Sequence, residues 1–80
     1  MKNIFYIGYC PICRQGLLEI VKEKTTDKLF IYCDECEAEW ETPANAVNNV
    51  NGSRNKYGEI VEATETEIAT KKWQDYVIKP

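Results

Sequence analysis

Apolar positions along this chain follow one pattern up to about residue 42 and another after it. Ile4 to Tyr9 (IFYIGY) is rich in β-branched and aromatic side chains and predicts a short strand. Leu17 to Lys22 (LLEIVK) predicts a second strand. Lys28 to Tyr32 (KLFIY) predicts its hairpin partner across the polar turn Thr25-Thr26-Asp27. Glu37 to Thr42 (EAEWET) alternates acidic residues with Ala38 and Trp40, as a half-buried further strand would.

Beyond that point the pattern becomes helical. Thr42-Pro43 reads as an N-cap followed by proline at the first helical position. Pro43 to Val50 is long enough for about two turns, with Ala46, Val47 and Val50 on one face. Asn51-Gly52 is the expected stop, since both tolerate a left-handed backbone. Residues 48–56 are rich in Asn and predict a loop. Glu59 to Ala63 predicts a short strand. Thr64 to Tyr76 predicts a longer helix: Thr64 and Glu67 have capping-box spacing, and Ile68, the Lys72 stem, Trp73 and Tyr76 line one side.

Eighty residues make one domain, and a core this small is marginal without a staple. The expected organisation is a single domain over residues 1–80, with residues 1–42 forming a metal-binding unit and 43–80 a mixed, partly helical extension. Hydrophobic residues make up 44% of the chain and charged ones 29%, a balance that argues against disorder. No apolar run approaches the roughly 18 residues of a membrane span, and no signal-peptide pattern is visible. These features carry the expectation of a cytoplasmic protein.

The staple is visible in the cysteines. Cys10, Cys13, Cys33 and Cys36 form a C-x2-C-x19-C-x2-C pattern around the predicted hairpin. Each two-residue spacer lets a tight turn aim two sulfurs at one ion, and the hairpin returns the second pair beside the first. Four soft thiolates suit a structural Zn²⁺. Iron is the rival for the same ligands. Two disulfides would need an oxidising compartment, and a thioredoxin-type redox pair needs one C-x-x-C in a βαβ setting.

Catalysis is not expected. Four thiolates fill a tetrahedral shell, whereas a catalytic zinc keeps a position open for water. The chain has no histidine, so the commonest acid–base group and the zinc deaminase signature are both missing. Ser53 is the only serine and has no histidine to activate it.

Charge is uneven. The formal net charge is −3, and residues 1–42 carry all of it, with five basic against eight acidic side chains. Four thiolates around one dication add two further negative charges. That balance is poor for gripping phosphates and suits a basic partner. The acidic stretch Asp34, Glu35, Glu37, Glu39 and Glu41 is the candidate partner surface, and a solvated strand face is the plainer reading of it. Tyr57, in the polar loop, is the tyrosine expected to be exposed and is included in that surface. Trp40 and Trp73 are expected in the core, with Trp40 placed to cover the metal. Lys71 and Lys72 fit a helix C-terminus.

At Cys10-Pro11-Ile12-Cys13 and Cys33-Asp34-Glu35-Cys36-Glu37-Ala38-Glu39-Trp40 the chain resembles the zinc-ribbon proteins, rubredoxin-like modules with metal between two knuckles. The resemblance covers about residues 4–42. It implies a small, metal-stabilised α+β fold: a ribbon hairpin and sheet with a short helix and a C-terminal helix. Many such knuckles have glycine directly after the second cysteine, where this chain has Arg14 and Glu37. The segments Glu59 to Glu65 and Trp73 to Tyr76 look like endings of small bacterial zinc-ribbon proteins, some of which are immunity proteins. That implies a non-catalytic protein-binding module, a stoichiometric inhibitor of a basic toxin such as a nuclease. Two other readings stand beside it: a nucleic-acid-binding, transcription-associated zinc ribbon, and a rubredoxin-like iron electron carrier.

Overall fold

A computed structural model describes residues 4–78. Five strands form one antiparallel sheet: β1 (Phe5–Tyr9), β2 (Leu17–Glu23), β3 (Leu29–Cys33), β4 (Glu39–Trp40) and β5 (Ile60–Glu62). The order is β1-β2-β3-β4, and β5 joins β2 beyond the end of β1. Two short helices, α1 (Pro43–Val47) and α2 (Glu65–Thr70), and a 3-10 turn (Gln74–Tyr76) complete it.

The hairpin of β2 and β3 is the frame. Its register pairs Leu18 with Cys33, Ile20 with Ile31 and Lys22 with Leu29, so Leu18, Ile20, Ile31 and Cys33 share the core face. Asp27 closes the turn at φ 60, a left-handed conformation that aspartate tolerates. Between Tyr6 and Gly8 the β1–β2 register slips by one residue, and Ile7 bulges into the core. Gly8 sits there at φ 142, a backbone conformation open to glycine.

Several expected elements are shorter than the sequence pattern implies. The strand at 37–42 contracts to Glu39–Trp40, and its alternation fails. Ala38, Glu39 and Trp40 are all buried, because Ser53 pairs with Glu39 on the side away from β3. The Thr42 side chain accepts from the Asn45 N–H and Pro43 opens α1, as expected. The helix then stops at Val47, not Val50. Asn49 takes φ 52, its N–H bonds the Ala46 carbonyl, and the Val50 N–H bonds that of Asn45. These two bonds are a Schellman motif. It leaves Val47 and Val50 exposed and only Ala46 of the expected face buried.

The helix expected over 64–76 is likewise broken. Its capping box is present in both directions. Just past the end of α2, Lys72 turns to φ 61, the Lys72 N–H bonds the Ala69 carbonyl and the Trp73 N–H bonds that of Ile68. A second Schellman motif, with lysine at the usual glycine position, folds Trp73 back against the core beside Ile68. Tyr76, on the 3-10 turn, stays exposed. The Ile78 N–H then bonds the Tyr6 carbonyl and brings the chain to the outer edge of β1.

Candidate metal centre

Both C-x-x-C segments fold by the same local rule. In the first, the Arg14 N–H bonds the Cys10 carbonyl at 3.0 Å, and the Cys10 N–H bonds that of Gly16 at 2.8 Å. In the second, the Glu37 N–H bonds the Cys33 carbonyl at 3.2 Å, and the Cys33 N–H bonds that of Ala38 at 2.9 Å. Arg14 and Glu37 have φ of 58 and 63. The knuckles therefore keep the left-handed residue after the second cysteine although neither uses glycine there.

Each turn also points amide donors at its sulfurs. The Ile12 N–H reaches Cys10 Sγ, the Gly16 N–H reaches Cys13 Sγ, and the Glu35 and Cys36 N–H groups reach Cys33 Sγ, all at 3.4 Å. Amide dipoles of this kind favour thiolate over thiol. The Gln15 and then Gly16 amides hold Cys13 low, at about 6. Burial pushes Cys33 up to about 12. A buried thiol in that position is ionised only with a cation beside it, and a coordinating metal supplies one.

The four sulfurs converge. Cys10 and Cys36 Sγ lie 3.7 Å apart, as do those of Cys13 and Cys33, and all four fall within 4.8 Å of one another. A tetrahedral ion with metal–sulfur bonds of about 2.3 Å needs sulfur–sulfur edges of about 3.8 Å. Cys10 and Cys33 are buried, while Cys13 and Cys36 are half-buried. The four cysteines are positioned to bind one metal ion in a small antiparallel sheet.

No family model matches this chain, and no curated protein or solved structure does either.

Of the five acidic residues and Tyr57, four are exposed (Asp34, Glu35, Glu37 and Glu41), while Glu39 and Tyr57 are not. Glu35 and Glu37 lie on the second knuckle, Glu35 exposed and Glu37 at its left-handed turn. Asp34 is exposed too, but its carboxylate accepts the Leu17 N–H at 2.9 Å and ties that knuckle to β2. Glu41 is exposed, 4.0 Å from Lys28 Nζ. Glu39 is only 4% exposed, and its carboxylate accepts the Lys56 N–H at 3.0 Å. Tyr57 is half-buried and stacks on Phe30 with ring centres 4.1 Å apart. Glu39 and Tyr57 thus pin the loop 51–58 onto the sheet, which corrects the expectation of exposure at both. Trp40 is fully buried in the same core cluster as Cys10 and Cys33, with Gly52 against its indole.

Gly16 is the site residue that sequence reasoning missed. A Cβ there would lie 2.6 Å from Cys33 Sγ and 2.8 Å from Asp34 Oδ1. The two knuckles meet at this point, and only a missing side chain lets them close. The available signal was the glycine's place three residues after Cys13.

Proposed function

We propose that this protein is a zinc-stapled, non-catalytic binding module of zinc-ribbon type, and that its partner is a basic protein. The observation that carries the reading is the convergence of four cysteine sulfurs, two pairs at 3.7 Å and all within 4.8 Å of one another, with no other ligand type in the cluster among the described residues. Zinc fits such a shell without a geometric preference of its own, and four sulfurs leave no tetrahedral position for a reacting water. The ion's work is then to close the ribbon in a chain too small to rely on its core alone.

The basic partner is argued from charge. The excess of carboxylates lies in the ribbon half, and a bound zinc–tetrathiolate adds to it. Complementary charge raises association rates and selects among partners. Stoichiometric inhibition of a basic toxin, the role that the sequence resemblance implies, is one form such a partnership takes.

The test is purification without chelators from cells that also express the neighbouring genes. One zinc per chain, together with a basic protein held in a salt-sensitive one-to-one complex, supports the reading. A red protein with visible thiolate-to-iron absorption would favour an electron carrier. Tight binding to DNA or RNA would favour a nucleic-acid module.

A further inference from the structure

The second knuckle is held by a contact from outside the ribbon. Arg54, in the loop 51–58, donates from Nε to the Cys36 carbonyl at 3.0 Å. Cys36 belongs to the four-cysteine cluster, and the peptide that begins at this carbonyl leads into Glu37, whose φ is 63. The arginine is exposed, yet its backbone is fixed on both sides. Before it, Ser53 exchanges both backbone bonds with Glu39, at 2.8 and 2.9 Å. After it, the Lys56 N–H bonds the buried Glu39 carboxylate at 3.0 Å, and Tyr57 stacks on Phe30. These anchors bring the side chain to the knuckle, so the contact itself has little backbone left to order.

We propose that Arg54 is a positioning residue of the metal centre, which holds the second knuckle in its metal-binding shape and slows release of the ion. The inference rests on the metal reading and does not depend on the partner. Two physical effects act together. Four thiolates around one dication carry two net negative charges. A guanidinium at the carbonyl of one ligand sets a permanent positive charge beside them. The hydrogen bond also opposes the movement that release requires. For Cys36 to withdraw its sulfur, the peptide between Cys36 and Glu37 must turn, and a non-glycine residue at a left-handed φ has strain to relieve when it does. Arg54 holds the carbonyl of that peptide, so the turn must first break a charge-assisted bond. Cys13 and Cys36 are half-buried while Cys10 and Cys33 are enclosed, so a competing ligand reaches the site on the side that Arg54 secures.

The experiment times zinc transfer from the loaded chain to excess TPEN, for the parent, Arg54→Met and Arg54→Lys. This chelator is uncharged, so charge acts on the site and not on the chelator's approach. Methionine keeps an apolar stem and removes both charge and donor. The proposal expects release about tenfold faster in Arg54→Met, the low end for outer hydrogen bonds at metal sites because this arginine is exposed. Arg54→Lys, which keeps the charge without the planar donor, should fall between the two. Added salt should speed release from the parent and narrow its gap to Arg54→Met, a readout that needs no variant to fold well. In the cadmium-loaded chain, the cadmium NMR signal should move in Arg54→Met and move back in part in Arg54→Lys, since the folded site itself changes. Faster release with an unmoved cadmium signal would reduce the effect to general destabilisation and overturn the proposal. Release at the parent rate in Arg54→Met would overturn it and leave the metal reading standing. A parent chain that takes up no zinc would remove both together.

Discussion

At Arg14, Glu37 and Lys72 the backbone holds φ of 58, 63 and 61, where a Cβ costs about 1 kcal/mol or more. Glycine removes that strain and adds back part of it as unfolded-state entropy. Each of Arg14→Gly, Glu37→Gly and Lys72→Gly is therefore expected to raise the stability of the zinc-loaded chain by about 0.5 kcal/mol. Denaturant unfolding at unchanged m checks this, and loss of stability in all three would contradict the backbone reading. Gly16 runs the other way. Its Cβ would sit 2.6 Å from Cys33 Sγ, so Gly16→Ala must push the knuckles apart, at a cost of about 1–3 kcal/mol. Competition with a chelator should show weaker metal binding in that variant, and parent-like affinity would sink the argument. Neither effect was visible in the residue types alone, since lysine, arginine and glutamate do not announce a left-handed backbone.

Among the elements, α2 shows how far local chemistry reaches. Thr64 accepts the Glu67 N–H at 3.1 Å and Glu67 returns the bond to the Thr64 N–H at 2.8 Å. Thr64→Ala should cost about 1 kcal/mol in thermal or denaturant unfolding. Glu67 also meets Lys22 Nζ at 2.8 Å. That lysine, followed by the Thr64 amide, holds the Glu67 carboxyl below its ordinary value, and Glu67 in turn raises Lys22. A lowered carboxyl contributes stability that is complete above its unfolded value of about 4.3 and is lost as pH falls through the folded one. The raised lysine contributes below its unfolded value of about 10.4 and loses that contribution as pH climbs through the folded one. In Lys22→Met the Glu67 titration midpoint should move up toward the ordinary carboxyl range by carboxyl-detected NMR; an unmoved midpoint would mean the ion pair does not hold it. The capping box and the strands of the hairpin were legible because their signals are local. The helix stops were not, because the turns at Asn49 and Lys72 are closed by hydrogen bonds from the next residues, Val50 and Trp73. Glu39 was misread for a similar reason: its burial comes from Ser53 and Lys56, a loop that alternation in 37–42 says nothing about.

For the whole molecule the central relation is between one four-cysteine cluster and a chain of 80 residues. One knuckle leads into β2 and the other leaves β3, so both lie at the same end of the hairpin, and Cys10 and Cys33 belong to the same core cluster as Trp40 and Ile68. On the proposed zinc reading, metal binding and core packing form one cooperative unit, and stripping the ion should unfold much of the chain rather than a loop. Cys33→Ala, which removes the most buried of the thiolates, should leave a chain that neither holds metal nor shows a cooperative thermal transition. The cysteine spacing made this site legible from sequence, since a closed metal shell demands a fixed set of residues at a fixed separation. Exposure was less legible: Glu39 is buried under Lys56 and Tyr57 is half-buried against Phe30, because a loop distant in sequence folds over the sheet there. The most direct measurement is native mass spectrometry of untagged protein purified without chelators, read before and after acid release of the metal. The account predicts one zinc per chain with a narrow, folded charge-state distribution that broadens when the ion is lost. A metal-free chain with the same narrow distribution would contradict it.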